Sequence, residues 1–399
     1  MSTYRIGQDR FKGESEELQR ALELAKPAKI RPLCLCREAG LPMYIAAVSG
    51  HLIVKRMPNS GGEHIPSCDS YEPPAELSGL GQVMGTAIQE DPDIGLTALK
   101  LDFSLTKTAG RSATVPSGGD ADSVKTDGNK LTLRATLHYL WDEAGFNRWS
   151  PAMQGRRTWF TIRKYLLQAT EGKVTKGTQL SDVVFIPEAF NAERKAEITE
   201  RRLAQMSKAT PQGGKGARRL MIVIGEVKEI APSRYGHKII FKHVPDCHFM
   251  LNDDIHERLI KRFEVELGLW DALEDTHLIA IGTFGLGAAG LATIEEVALM
   301  TVTANWIPFE SNYDKMLIDA MTQAQRRFVK GLRYNLSPRL PLACLVASDT
   351  RPTPTAMFIL APTVSQEYQV ALDTLIAESK MSHWMWKASD GRMPALPLL

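Results

Sequence analysis

The sequence lacks the features that would send it out of the cell or into a membrane. Its 399 residues include five cysteines, an odd number and too few for a disulfide framework, so reduced thiols are expected. No apolar run approaches the roughly 20 residues that a helix needs to cross a bilayer. The polar opening Met1-Ser2-Thr3-Tyr4-Arg5 does not read as a signal peptide. The expectation is a cytoplasmic chain with no membrane partner. Charge of one sign is also missing: the net charge is +2, and by itself it selects no partner. With 44% hydrophobic and 24% charged residues the chain reads as ordinary globular protein, long enough for two or three domains.

What the chain does have is a cluster. Cys34 and Cys36 stand in Pro32-Leu33-Cys34-Leu35-Cys36, and Cys68 closes the stretch that runs from His64. A structural zinc takes four soft or borderline ligands in a tetrahedron, commonly offered as two short-range pairs. Cys34 with Cys36, and His64 with Cys68, are two such pairs. Met43 to Ala46 and His51 to Lys55 read as strands joined at Ser49-Gly50, a hairpin able to bring the pairs together. His51 is an alternative fourth ligand, and buried ordinary thiols are the alternative to a metal site.

The run containing Cys-Leu-Cys, Met43-Tyr44-Ile45, Lys55-Arg56-Met57-Pro58, His64 to Cys68 and Ser70-Tyr71-Glu72-Pro73-Pro74 resembles a bacterial family known as domain of unknown function 1173. Leu137-His138-Tyr139-Leu140-Trp141 and Trp306-Ile307-Pro308-Phe309-Glu310 extend the resemblance. It implies an association with plasmids and integrative elements, and three N-terminal cysteines that correspond to Cys34, Cys36 and Cys68. It implies no activity.

Read in order, residues 15–25 have helical spacing, and residues 97–103 read as a strand. Residues 109–129, rich in Gly, Ser, Thr and Asp, read as a solvated loop. Two helices are expected over 131–141 and 159–166, joined by a turn with exposed arginines, in the manner of a helix-turn-helix. From Arg148 to Arg219 there are 15 Lys plus Arg against 6 Asp plus Glu. That concentration is the footprint of a phosphate-contacting face, which assigns nucleic-acid contact to Arg148, Arg156, Arg157, Arg163 and Lys164. Residues 211–216 read as a basic linker. Beyond 219 the pattern is α/β: strands over 220–225, 237–241 and 277–284, a helix over 255–270, a helix from 312 to about 332, strands over 342–346 and 356–360, a helix over 366–378 and an aromatic strand at 383–386.

Three further patterns carry possible chemistry. Gly285-Leu286-Gly287-Ala288-Ala289-Gly290 is a literal G-x-G-x-x-G between a strand and an expected helix over 292–300, with Glu310 beyond it. The elements from Glu310 onward resemble the core of the PD-(D/E)xK nucleases, in which a helix glutamate, a strand aspartate and an acid-x-lysine pair hold Mg2+. Glu310 and Asp349 fit the first two roles, but Thr355-Ala356-Met357-Phe358-Ile359 offers no acid-x-lysine pair. A second candidate set is Asp182 with Glu226 and Lys228 of Gly225-Glu226-Val227-Lys228. On the long helix Arg326, Arg327, Lys330 and Arg333 form a basic face for phosphates.

The expected architecture is thus an α+β multidomain chain. It comprises an N-terminal zinc-binding β module (1–105), a flexible loop (106–129), a basic helical region (130–218) and an α/β domain (219–399) of restriction-endonuclease-like type from about 306. The expected function is zinc-containing nucleic-acid binding, to DNA, in maintenance or transfer of a mobile genetic element, without catalysis. A Mg2+-dependent nuclease and a protein-interaction scaffold are the alternatives.

Overall fold

The computed structural model describes residues 2–107, 128–210, 218–234, 236–287 and 290–399. Its first 56 residues make an antiparallel sheet from β1 (Thr3–Ile6), β2 (Asp9–Lys12), β3 (Leu33–Cys34), β4 (Leu41–Val48) and β5 (His51–Arg56), in the order β2-β1-β3-β4-β5. Ser49 and Gly50 both take left-handed φ, 51° and 76°, the conformation a two-residue hairpin turn needs. Helix α1 (Glu16–Ala25) begins where the Ser15 side chain accepts the Leu18 N–H. Its apolar stripe of Leu18, Leu22 and Ala25 packs on Ile6 and Ile45.

The middle of the chain is interleaved with both ends. It contains α2 (Leu80–Val83), β6 (Ile88–Asp91), β7 (Leu96–Leu99), β8 (Thr106–Lys107), α3 (Leu133–Glu143), β9 (Arg148–Trp149) and α4 (Trp159–Thr170). Then come β10 (Lys173–Thr175), β11 (Thr178–Gln179), α5 (Leu180–Val183), β12 (Val184–Phe185), α6 (Lys195–Met206) and β13 (Arg218–Arg219). Strand β10 runs parallel to β7, and β13 pairs with β8. Helix α3 is sheathed on nearly every side, with Leu133, Leu137, Leu140 and Trp141 in the largest core. Of the expected loop at 109–129, only residues 128 and 129 are among those described, and the linker at 211–216 lies outside them.

Next come β14 (Met221–Pro232), β15 (His237–Phe241), β16 (Phe249–Leu251), α7 (Asp253–Arg262), α8 (Glu264–Ala272), β17 (Thr276–Leu286) and β18 (Ala292–Thr303). The sheet order is β12-β14-β15-β16-β18-β17, and β17 also pairs with β14, so five strands close into a ring with β12 attached outside. Two expectations are corrected here. The helix expected over 292–300 is strand β18, antiparallel to β17 from Thr276↔Thr303 to Leu286↔Ala292. Its Thr293, Ile294, Val297, Thr301 and Val302 are β-branched and have a long apolar neighbour to pair with. The helix expected over 255–270 is two helices, broken at Phe263 (φ −116°, ψ 30°).

The last sheet contains β19 (Phe328–Lys330), β20 (Leu345–Ala347), β21 (Thr355–Leu360) and β22 (Ser382–Lys387), with α9 (Asn312–Gln323) before it and α10 (Gln366–Ser379) between its last two strands. Its order is β22-β21-β20-β19-β9, antiparallel except for β21 and β22, which α10 connects as a crossover. The helix expected to reach 332 stops at Gln323. Gln325 turns left-handed (φ 56°), its N–H reaches Thr322 O at 3.1 Å, and the Arg326 N–H reaches Met321 O at 2.9 Å. This is a Schellman stop made without glycine. Among the described residues, no helix is long and apolar enough to cross a membrane.

Candidate metal centre and its surroundings

Four side chains converge where the sequence clusters them. Cys34 is the last residue of β3, Cys36 follows in the turn, and the β4–β5 hairpin returns the chain to His64 and Cys68. The ligand atoms of Cys34, Cys36, His64 and Cys68 all lie within 4.8 Å of one another. Cys34 Sγ is 3.7 Å from Cys68 Sγ, and His64 Nδ1 is 3.3 Å from Cys36 Sγ and 3.6 Å from Cys68 Sγ. A tetrahedron with Zn–S near 2.3 Å and Zn–N near 2.0–2.1 Å has S···S edges of about 3.8 Å and S···N edges of about 3.6 Å. The three separations fit those edges, so the donor set can hold a metal ion. His51 stands at the exposed start of β5, outside the cluster.

The electrostatics suit a thiolate. The bond from Cys34 pulls the Cys68 thiol down to about 5, helped by the Ser70 N–H and His64, while the same bond pushes Cys34 up. The loop from 61 to 72 is held tightly: a Cβ on Gly61 would come within 2.5 Å of Glu72 Cβ. This loop then delivers Glu72 to two arginines, Arg56 of β5 and Arg148 of β9 at 3.2 Å. A second ionic contact ties the same hairpin to the body: Glu143 at the end of α3 accepts from Lys55 at 2.8 Å and Lys173 at 2.7 Å. Beside Glu72, against β9 and β19, lies a cavity of about 40 Å3, lined by Glu72, Asn147, Arg148, Lys330 and Tyr334. That is room for water, well below the size of a ligand pocket.

The basic residues singled out in the sequence divide into two kinds. Arg148 is bound to Glu72 and to Tyr71 O at 2.5 Å. Arg157 is turned inward, donating to the carbonyls of Phe146 (2.9 Å), Asn305 (3.1 Å), Gly145 (3.2 Å) and Arg148. Arg163 reaches Ile186 O at 3.0 Å. Arg156 and Lys164 are exposed, and between them on α4 stands Phe160, 70% exposed, with Tyr165 at 44%. Arg148 and Trp149 are not a turn between two helices but β9, paired with β19.

Arg326, Arg327, Lys330 and Arg333 do not share a helix face, because they follow the end of α9. Arg326 is buried against Asp349 and Pro397 O, Lys330 is buried 3.2 Å from Asp314, and Arg333 pairs with Glu310 at 2.6 Å. Arg327 is exposed.

The carboxylates are engaged too. Burial alone would raise Glu310, but Arg333, Lys330 and Arg134 hold it down to about 2. Asp349 also accepts the Arg327 N–H at 2.7 Å. Asp182 is exposed, 3.6 Å from Lys208. Lys228 sits at a bulge in β14, where the register with β15 slips between Val227 and Glu229, and it is exposed while Glu226 is buried. Glu226 instead meets Lys242 at 2.5 Å and His277 at 2.6 Å, with His243 at 3.7 Å. These residues come from three distant stretches, and sequence reasoning found only Glu226. Among the described residues the Cys34, Cys36, His64 and Cys68 set is the one group of three or more potential ligands close enough to share an ion.

Gly285 to Gly290 spans the link between antiparallel β17 and β18, with Ala288 and Ala289 outside the described residues. With a strand on each side and no helix after it, it lacks the strand-to-helix turn that seats a dinucleotide pyrophosphate.

Comparison with known proteins adds a family. No curated protein and no solved structure matches the chain. A family model described as protein of unknown function (DUF1173) matches residues 4–389, and the chain belongs to that family.

Proposed function

We propose that the chain is a DNA-binding protein of a mobile genetic element, acting in its maintenance or transfer, with zinc held structurally by Cys34, Cys36, His64 and Cys68. Zinc there fastens a loop that, four residues beyond Cys68, carries Glu72, which is clamped by Arg56 and Arg148. The observation that carries the binding reading is the outer face of α4. Phe160 is 70% exposed, and the exposed Arg156 and Lys164 flank it in the chain. Aromatic rings between cations are what a single strand uses, bases stacking on the ring and phosphates meeting the charges.

A nuclease reading has one supporting observation, the helix, three strands, helix and strand that run from α9 to β22. Against cutting stands the use of Glu310 and Asp349 as partners of Arg333 and Arg326. Binding without cleavage is therefore the reading we adopt. The test is binding of labelled single- and double-stranded DNA and RNA across a salt series with Mg2+ present, with the products run on a gel. Affinity that falls steeply with salt and leaves products intact is expected. Cut products would promote the nuclease, and no binding at low salt would overturn the reading in favour of protein partners.

A further inference from the structure

Behind α4 lies a cluster that the metal centre and the α4 face do not use. Glu226 of β14 is 4% exposed, and three donors converge on it. His277 Nδ1 is 2.6 Å from Oε1, Lys242 Nζ is 2.5 Å from the same oxygen, and His243 Nε2 is 3.7 Å from Oε2. The Nδ1 of His243 faces the Phe190 N–H at 3.4 Å, so both of its nitrogens are committed. His277 differs. Its Nδ1–H donates to Glu226, its Nε2 makes no hydrogen bond among the described residues, and the side chain is 25% exposed.

Each imidazole is backed by a tryptophan. His277 stacks on Trp306 at 4.3 Å and 15°, His243 stacks on Trp159 at 4.9 Å and 12°, and the two tryptophans are 5.8 Å apart. Trp306 is held at φ 60°, a left-handed conformation unusual for so large a residue and of the kind found where geometry is being enforced. The stacking holds each ring edge toward Glu226, and the carboxylate is buried behind them. In front stand the His277 Nε2 and the half-exposed Lys242, with the exposed Phe190 against His243.

We propose that His277 and Lys242 form a binding site for a phosphate group, with Glu226 and Trp306 as positioning residues. With the imidazole protonated, one carboxylate faces two cations, a surplus that a phosphate oxygen completes. The groups that face His277 are Glu226 from β14, Lys242 and His243 from the segment after β15, and Trp306, beside which Arg157 is spent on the Asn305 carbonyl. His243 stacks on Trp159 of α4, the helix assigned to the strand, so a phosphate of that strand is the ligand assigned to this site. In this form the site rests on the nucleic-acid reading.

The test follows the imidazole signals of the full-length protein, labelled at histidine, at pH 6 to favour the imidazolium. His277→Gln identifies the His277 signal. Inorganic phosphate and a DNA oligonucleotide are added separately to the wild type and to Lys242→Met. The His277 signal is expected to move with either ligand, and less in Lys242→Met. In the oligonucleotide arm, the slope of log affinity against log salt is expected to be shallower by about 0.7–0.9 in His277→Gln. If DNA binds and the His277 signal stays still in both arms, this site is refuted while the proposed function stands. If phosphate moves the signal and DNA does not bind, the site stands and the nucleic-acid reading falls.

Discussion

Cys34 Sγ and Cys68 Sγ stand 3.7 Å apart, with His64 Nδ1 3.6 Å from the second sulfur. One equivalent of zinc is the expected content of the purified protein, read by elemental analysis. Cys34→Ser should lose it, and wild type treated with a chelator should lose stability by more than about 3 kcal/mol at the N-terminal sheet, because ligand binding there is folding energy. Metal-free protein that melts like the untreated sample would remove the metal from the account.

Glu143 is the shared partner of Lys55 and Lys173. Burial raises an isolated carboxyl, yet Lys173 and Lys55 hold this one well below the ordinary range. Removing it leaves two ammonium groups facing one another in a mostly enclosed place. Glu143→Ala is expected to cost about 3–5 kcal/mol in urea unfolding, the usual penalty for breaking a buried pair from one side. A change below about 1 kcal/mol would mean that water reaches the lysines.

Two neighbouring arginine and lysine positions should behave in opposite ways. Arg157 spends its guanidinium on four backbone carbonyls, so Arg157→Ala should destabilise the fold by about 2–4 kcal/mol. Lys164 is exposed, and Lys164→Ala should leave stability within about 0.5 kcal/mol while flattening the salt dependence of DNA binding. Phe160→Ala should weaken single-strand binding by about 1–3 kcal/mol, the value of one stacked base. Equal melting and equal binding for all three variants would sink the α4 interface.

The sequence exposed this division only in part. The zinc ligands were legible because each pair lies within five positions and a Ser-Gly turn marks the hairpin between them. Helices α1 and α10 were legible from spacing, and their Ser15 and Ser365 caps are where the side chain accepts an amide. Strand β18 was not, since Glu295 and Glu296 give it helical composition and its pairing with β17 is decided only by the partner. The end of α9 was hidden because Gln325, with no glycine to announce it, turns left-handed while Phe328 keeps the apolar spacing going. The Glu226 cluster was invisible for a simpler reason. Its members at 226, 242, 243 and 277 meet only when β14 is paired with both the β15 hairpin and the distant β17, and a local window that holds β14 and β15 still misses His277.

Glu296 of β18 supplies a pH dependence of known sign. Burial, then Asp102 and Glu295, push its carboxyl up, and Arg258 and Arg262 only partly offset them, so that it titrates near 7 rather than at its ordinary 4.5. The folded chain therefore binds a proton that the unfolded chain has released between those two values. Linkage makes stability fall as pH rises through that window, and the full cost is present above it. Glu296→Gln removes the charge but keeps the shape. It should raise stability at pH 8 by at most about 3 kcal/mol, the ceiling set by a shift of this size, and change it little at pH 4. Urea unfolding of both proteins at the two pH values is the measurement. An equal gain at both would mean that the glutamate is not the group responsible.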